Sequence, residues 1–292
     1  MQQHRLLPLN NSFNKIGHQN GMKLYATILL LCIYAVPVNS EPLHVKIMTD
    51  FIPQADGSPE NEATEFVLAA ATELGNKISL QFVPGSQLQD WKQLSQLPDV
   101  CLLNKLKTPE REASAIFTRY PLMAFPENKL IVFNKPTLPN SISLTDAVNY
   151  YDLTIGVTSR RSYSAKIDDF IKRHEEHFFK VDGAANAIQL GYMLFENKID
   201  AIFEYKSMFI NRYQRAHGID KIRYLTIEPS EPAAFGYIAC SPSPQGKQAI
   251  ALFEHALQTE KIKTLISTRL MELFPAPDNT LIVDAFNAAY KN

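Results

Sequence analysis

The chain has 292 residues, with 29 Lys and Arg against 30 Asp and Glu, a formal net charge of −1 and 46% hydrophobic residues. That balance lacks the basic excess that nucleic acid or an anionic membrane surface demands. The length suits two lobes of ordinary size, each with its own core.

The first forty residues stand apart from the rest. Met22-Lys23 is a short basic start, and residues 24–38 form an apolar run too short to span a bilayer comfortably. Val38-Asn39-Ser40 then offers small residues for cleavage. This is the pattern of a secretory signal peptide cut before Glu41, with translation starting at Met22. Cleavage leaves 252 residues, which hold 26 of the 29 bases and all 30 acids. Of the three cysteines, Cys101 and Cys240 remain. An oxidising compartment permits them to pair, but two cysteines make no disulfide scaffold and the bond is left open.

Residues 44–50 alternate at period two and read as a strand, followed by a Pro- and Gly-containing loop to residue 61. Phe66, Ala69, Ala70 and Leu74 lie at helical spacing in residues 62–74. Residues 78–83 are a second strand. Trp91, Leu94 and Leu97 mark a helix, with Trp91 most simply a core residue, ahead of an apolar strand over 100–103. A strand at 129–134 follows, then a helix at 143–150, a strand at 153–157, and helices ending near Arg173 and Glu196. Residues 199–205 and 234–240 read as strands, and 245–258 and 260–274 as closing helices. Strands alternating with helices argue for an α/β protein with parallel pairing and crossover helices.

The most informative stretch runs from Asp99 to Ala113. Its apolar strand leads through a short loop into a helix capped by Thr108, with Pro109 at the first helical position. Glu110 and Glu112 suit the positive end of the helix dipole, whereas Arg111 does not. A cation there is unfavourable unless an anion meets it, and a helix start beside a strand's carboxyl end is a good anion site.

Thr108-Pro109-Glu110-Arg111 and Phe117-Thr118-Arg119-Tyr120-Pro121 together resemble the "T-x-E-R … F-S-x-P" signature of the family-3 periplasmic solute-binding proteins, many of them amino-acid receptors of ABC transporters. The resemblance implies a bilobal periplasmic-binding-protein fold, two α/β lobes joined by two crossover strands near 129–134 and 235–240. Lobe one would comprise residues 41–130 and 240–292, and lobe two, inserted, residues 131–239. It implies a periplasmic protein that captures a small polar, carboxylated, amino-acid-like ligand between hinged lobes for a membrane permease. A ligand sensor for a membrane receptor is the alternative. A dehydratase on the same fold is a further one, with Glu204 or Asp50 as its acid–base candidates. The expected form is a monomer without nucleic acid, metal or cofactor.

Carried over residue by residue, the resemblance makes Arg111 the grip on a ligand carboxylate, its guanidinium fork suiting that task. Asp50 ends the first strand where relatives contact the ligand side chain. Asn104 is the nearest polar residue to a position, Leu106, where relatives carry a hydroxyl. Ser162 and Tyr163 stand at the second lobe's helix start, where Arg160 and Arg161 depart from the family pattern and raise the positive potential. Tyr205 falls where amino-acid binders usually place an Asp for the ligand ammonium, and a Tyr carries no negative charge at neutral pH. Glu204 is one step along the strand, so alternation points it to the opposite face. His174-Glu175-Glu176-His177 lacks the zinc-site spacing.

Overall fold

The computed structural model describes residues 41–49, 54, 57–85, 87–182, 186–230 and 233–291. The signal-peptide segment and Asp50 lie outside the described residues. Among those described, no helix is long and apolar enough to cross a membrane.

Two mixed α/β lobes make up this part of the chain. The first begins with β1 (Leu43–Thr49), α1 (Glu62–Leu74), β2 (Ile78–Pro84), α2 (Gln87–Gln96), β3 (Val100–Leu106), α3 (Pro109–Glu112), β4 (Ile116–Phe117) and β5 (Met123–Phe125). The second holds β6 (Lys129–Phe133), β7 (Ser141–Ser143), β8 (Ile155–Thr158), α4 (Ala165–Arg173), β9 (Phe178–Val181), α5 (Asn186–Phe195), β10 (Ala201–Glu204), α6 (Lys206–Tyr213) and β11 (Ile222–Glu228). The chain then returns to the first lobe with β12 (Ala234–Cys240), α7 (Pro244–Leu257), α8 (Glu260–Leu273) and α9 (Asp278–Ala289).

Local chemistry accounts for the elements that frame the cleft. Asn61 caps α1 by accepting from the Thr64 amide at 2.8 Å, and Gly75 ends it at φ 60°, a backbone region that suits glycine. The helix buries Phe66, Val67, Ala70 and Leu74 in the core it shares with α7, α8, β2 and β3, so the expected apolar stripe is largely the one used.

The first sheet runs β2-β1-β3-β12-β4, with β5 also paired to β12, and the second runs β7-β11-β6-β10-β8-β9. In the first, β1 is parallel to β2 and β3, while β12 is antiparallel to β3. In the second, β10 is parallel to β8 and antiparallel to β6.

Sheet membership moves the lobe limits read from the sequence. Lys129 and Leu130, counted there with lobe one, belong to β6, which pairs with β10 and β11 in the second sheet. Residues 234–239, counted with lobe two, belong to β12, which lies between β3 and β4 in the first sheet. The chain therefore changes lobes between Phe125 and Lys129 and again between Glu228 and Ala234, in short links outside the strands. Which sheet a strand joins is set by its ladder partners, and its own apolar pattern does not record that choice.

Cys101 and Cys240 stand opposite one another on β3 and β12 and form a disulfide. Both are fully buried. At a sequence separation of 139, the bond ties the two segments of lobe one across the whole inserted lobe.

Candidate functional site

The carboxyl ends of β3, β8 and β10 converge on the cleft between the lobes, the place where open α/β sheets bind ligands. Arg111 sits at its waist. Its position follows from the short helix α3, where buried Thr108 accepts the Arg111 amide at 3.4 Å and Pro109 starts the turn. Nη1 donates to the Leu106 carbonyl of lobe one at 3.1 Å, and Nη2 donates across the cleft to the Arg160 carbonyl of lobe two at 3.2 Å. The guanidinium lies 5.0 Å from the Trp91 ring centroid, a cation–π arrangement. Burial pulls its pKa below the usual guanidinium value, opposed by the charges of Asp168 and Glu110. Among the described residues, no carboxylate is in ion-pair range of it.

Two chambers meet at this waist. An inner one of about 280 Å³ is lined by Asn104, Phe125, Glu204, Tyr205, Met208 and Arg212 among others. An outer one of about 610 Å³ is lined by Thr108, Thr158, Arg160, Asp168, Lys172 and Lys180 among others. Trp91, Arg111, Arg161 and Ser162 line both.

The buried Glu204 organises the floor of the inner chamber. Arg161 donates to both of its oxygens, at 2.7 and 3.1 Å, the Tyr205 amide adds a third bond at 3.0 Å, and Arg212 approaches to 3.5 Å. Burial alone would push the Glu204 carboxyl up, but the charge and hydrogen bonds of Arg161 prevail and hold it below the usual carboxylate range. Arg161 is shifted up in turn, because Glu204 outweighs the burial that disfavours its charge.

The sequence-derived residues fare unequally. Arg111, Asn104, Ser162 and Tyr205 all line the inner chamber. Asn104 sits at φ 55° with a buried Oδ1 that has no hydrogen-bond partner among the described residues. Ser162 donates its hydroxyl to Asp168, whose other oxygen accepts the Tyr163 amide at 2.9 Å. Tyr163 is only 2% exposed and packs on Phe203 in the second lobe's core, where its hydroxyl accepts the Thr158 amide at 2.9 Å. Its hydroxyl oxygen thus anchors the end of β8, ahead of the turn that carries Arg160 and Arg161, and the residue also lines the outer chamber. Tyr205 stacks on Phe125 of lobe one at 4.9 Å, nearly parallel, and burial pushes its hydroxyl up to about 12.

Alternation along the strand misjudged Glu204. β10 ends at Glu204 and Tyr205 caps α6, so the period-two rule stops applying between them and both side chains line the chamber. Trp91, read as core, is a wall of the cleft. Arg161 enters the sequence reading only as a source of positive potential, and Arg212 and Asp168 do not enter it. A cation three positions past a strand end was the available signal for Arg161, but its partner lies 43 residues away.

No protein-family model matches the chain, and no curated protein sequence matches it. Solved structures do. One from the study of glutathione import via GshT and the cystine ABC importer TcyBC of Streptococcus mutans aligns with a TM-score of 0.60 at 14% identity, covering 82% of this chain and 99% of that one. The amino acid ABC transporter substrate-binding protein AbpA of Streptococcus pneumoniae, bound to L-arginine, aligns at 0.54 with 20% identity, covering 86% and 97%. A histidine kinase sensor domain similar to periplasmic binding proteins aligns at 0.57 with 12% identity, covering 85% and 95%. The chain has the bilobal periplasmic-binding-protein fold.

Proposed function

We propose that this is an exported, periplasmic solute-binding protein that closes on a small carboxylated ligand and presents it to a membrane permease. The observation that carries the reading is Arg111, a guanidinium at the cleft waist that meets carbonyls of both lobes and, among the described residues, no carboxylate. One ligand carboxylate on that fork engages both lobes at once, so the closed state gains differential affinity. Arg111, Asn104, Ser162 and Tyr205 are the contacts that the reading assigns to the ligand; Asp50 remains a candidate on the sequence alone.

The binding reading is preferred to an enzymatic one because Glu204, the acid–base candidate within the described residues, is held ionised by Arg161 and has its oxygens engaged. A sensor subunit is the second reading, favoured by the kinase sensor domain that shares the fold. Purified monomer should be stabilised by one class of acid in a thermal-shift screen. Ligand at about 100 times its dissociation constant adds about 2.7 kcal/mol, a rise of roughly 5–10 °C at this size. Arg111→Ala should abolish that rise, and an unchanged rise in the variant overturns the assignment. Co-purification with a permease or with a receptor separates transport from sensing.

A further inference from the structure

The solute-binding reading leaves open which acid the cleft takes, and the inference below rests on that reading. Lys105 (paired with Asp90 at 3.7 Å), Arg111, Arg161 and Arg212 line the inner chamber, and Glu204 is the one carboxylate among its described lining residues. A buried ammonium must meet an acceptor with lone pairs to spare. Glu204 has none to offer, because Arg161 takes both oxygens and the Tyr205 amide and Arg212 crowd the remainder. A further cation beside Arg161 and Arg212 would also be repelled by them. The described lining of the inner chamber therefore favours an anion and disfavours an ammonium.

The outer chamber continues the same cleft past Arg111. Of its lining acids, Glu175 is paired with Lys180 at 2.9 Å, Asp168 accepts from Ser162 and the Tyr163 amide, and Glu110 stands exposed in the first turn of α3. Arg160 and Lys172 have no carboxylate in ion-pair range among the described residues. Arg160 sits in the left-handed region at φ 63°, with its carbonyl turned to Arg111.

We propose that the cleft binds an elongated dicarboxylate without an ammonium group, one carboxylate between Arg111 and Arg212 and the other past Arg111 toward Arg160 and Lys172.

The test is calorimetric titration of the purified protein with succinate, glutarate and pimelate, each beside its 2-amino counterpart, and with butyrate. The best dicarboxylate should bind at least about tenfold more tightly than its amino counterpart and than butyrate. Arg160→Asn keeps a residue that tolerates positive φ and removes the charge. It should weaken the dicarboxylate about two- to fivefold and leave butyrate unchanged. An amino counterpart that binds as well as its dicarboxylate overturns the proposal. Tight binding of a different solute, with none of these acids held, overturns it while keeping the solute-binding reading. A protein that binds no solute overturns both.

Discussion

Arg161 and Glu204 face each other as a two-pronged ion pair, Nη2 to Oε1 at 2.7 Å and Nη1 to Oε2 at 3.1 Å, with the carboxylate only 6% exposed. A pair this buried gains Coulomb energy largely to offset desolvation, so its presence says little about net stability. Removing one partner is another matter, because the other charge is left buried alone.

Glu204→Gln should therefore cost about 3–5 kcal/mol at pH 7. The folded carboxyl lies below its unfolded value, near 4.3, so its contribution is complete above that pH and is lost as pH falls through the folded value. The gap between wild type and variant should narrow below about pH 4. Asp168 runs the opposite way, since burial raises its pKa, and the wild-type-minus-variant difference cancels it. Urea melts of both proteins across this range check the sign; a gap that widens on acidification contradicts it.

Arg111→Lys keeps a positive charge but not the fork that reaches Leu106 and Arg160 together. Ligand affinity should fall by about tenfold or more while the fold survives, because a point charge replaces a bidentate donor. Titration calorimetry and circular dichroism on the same sample report the two outcomes separately.

Replacing both cysteines by Ala removes a link across 139 residues of sequence. Closing so long a loop restricts the unfolded chain strongly, and the expected loss is about 2–5 kcal/mol. Denaturant titration of the oxidised protein against Cys101→Ala/Cys240→Ala measures it. A loss near zero would mean that the discontinuous lobe is held by its core alone.

At Gly191 an added Cβ would lie 2.0 Å from the Tyr213 hydroxyl oxygen and 2.2 Å from its ring. Tyr213 is buried between α5 and α6, its hydroxyl donating to the Ile188 carbonyl at 3.0 Å. Gly191→Ala should destabilise the protein by about 1–3 kcal/mol through overpacking, read as a lower denaturation midpoint. Ligand affinity should hold, since neither residue lines the inner or outer chamber.

The features legible in the chain alone are those written within a few residues of one another. Thr108, Pro109 and the misplaced charge of Arg111 announce a capped helix start awaiting an anion, because capping and dipole effects act within one turn. The order of strands and helices, and hence the α/β class, follows from periodicities of two and 3.6. Tertiary structure decided the rest. β6 and β12 are apolar strands whose sheets were chosen by partners far away in sequence. Glu204 turned toward the cleft because its strand stops there, and Arg161 found it from 43 residues upstream. The Cys101–Cys240 bond and the Trp91 face under Arg111 are likewise long-range choices. Such pairings depend on which surfaces packing brings together, and a local pattern of residue types holds no record of that.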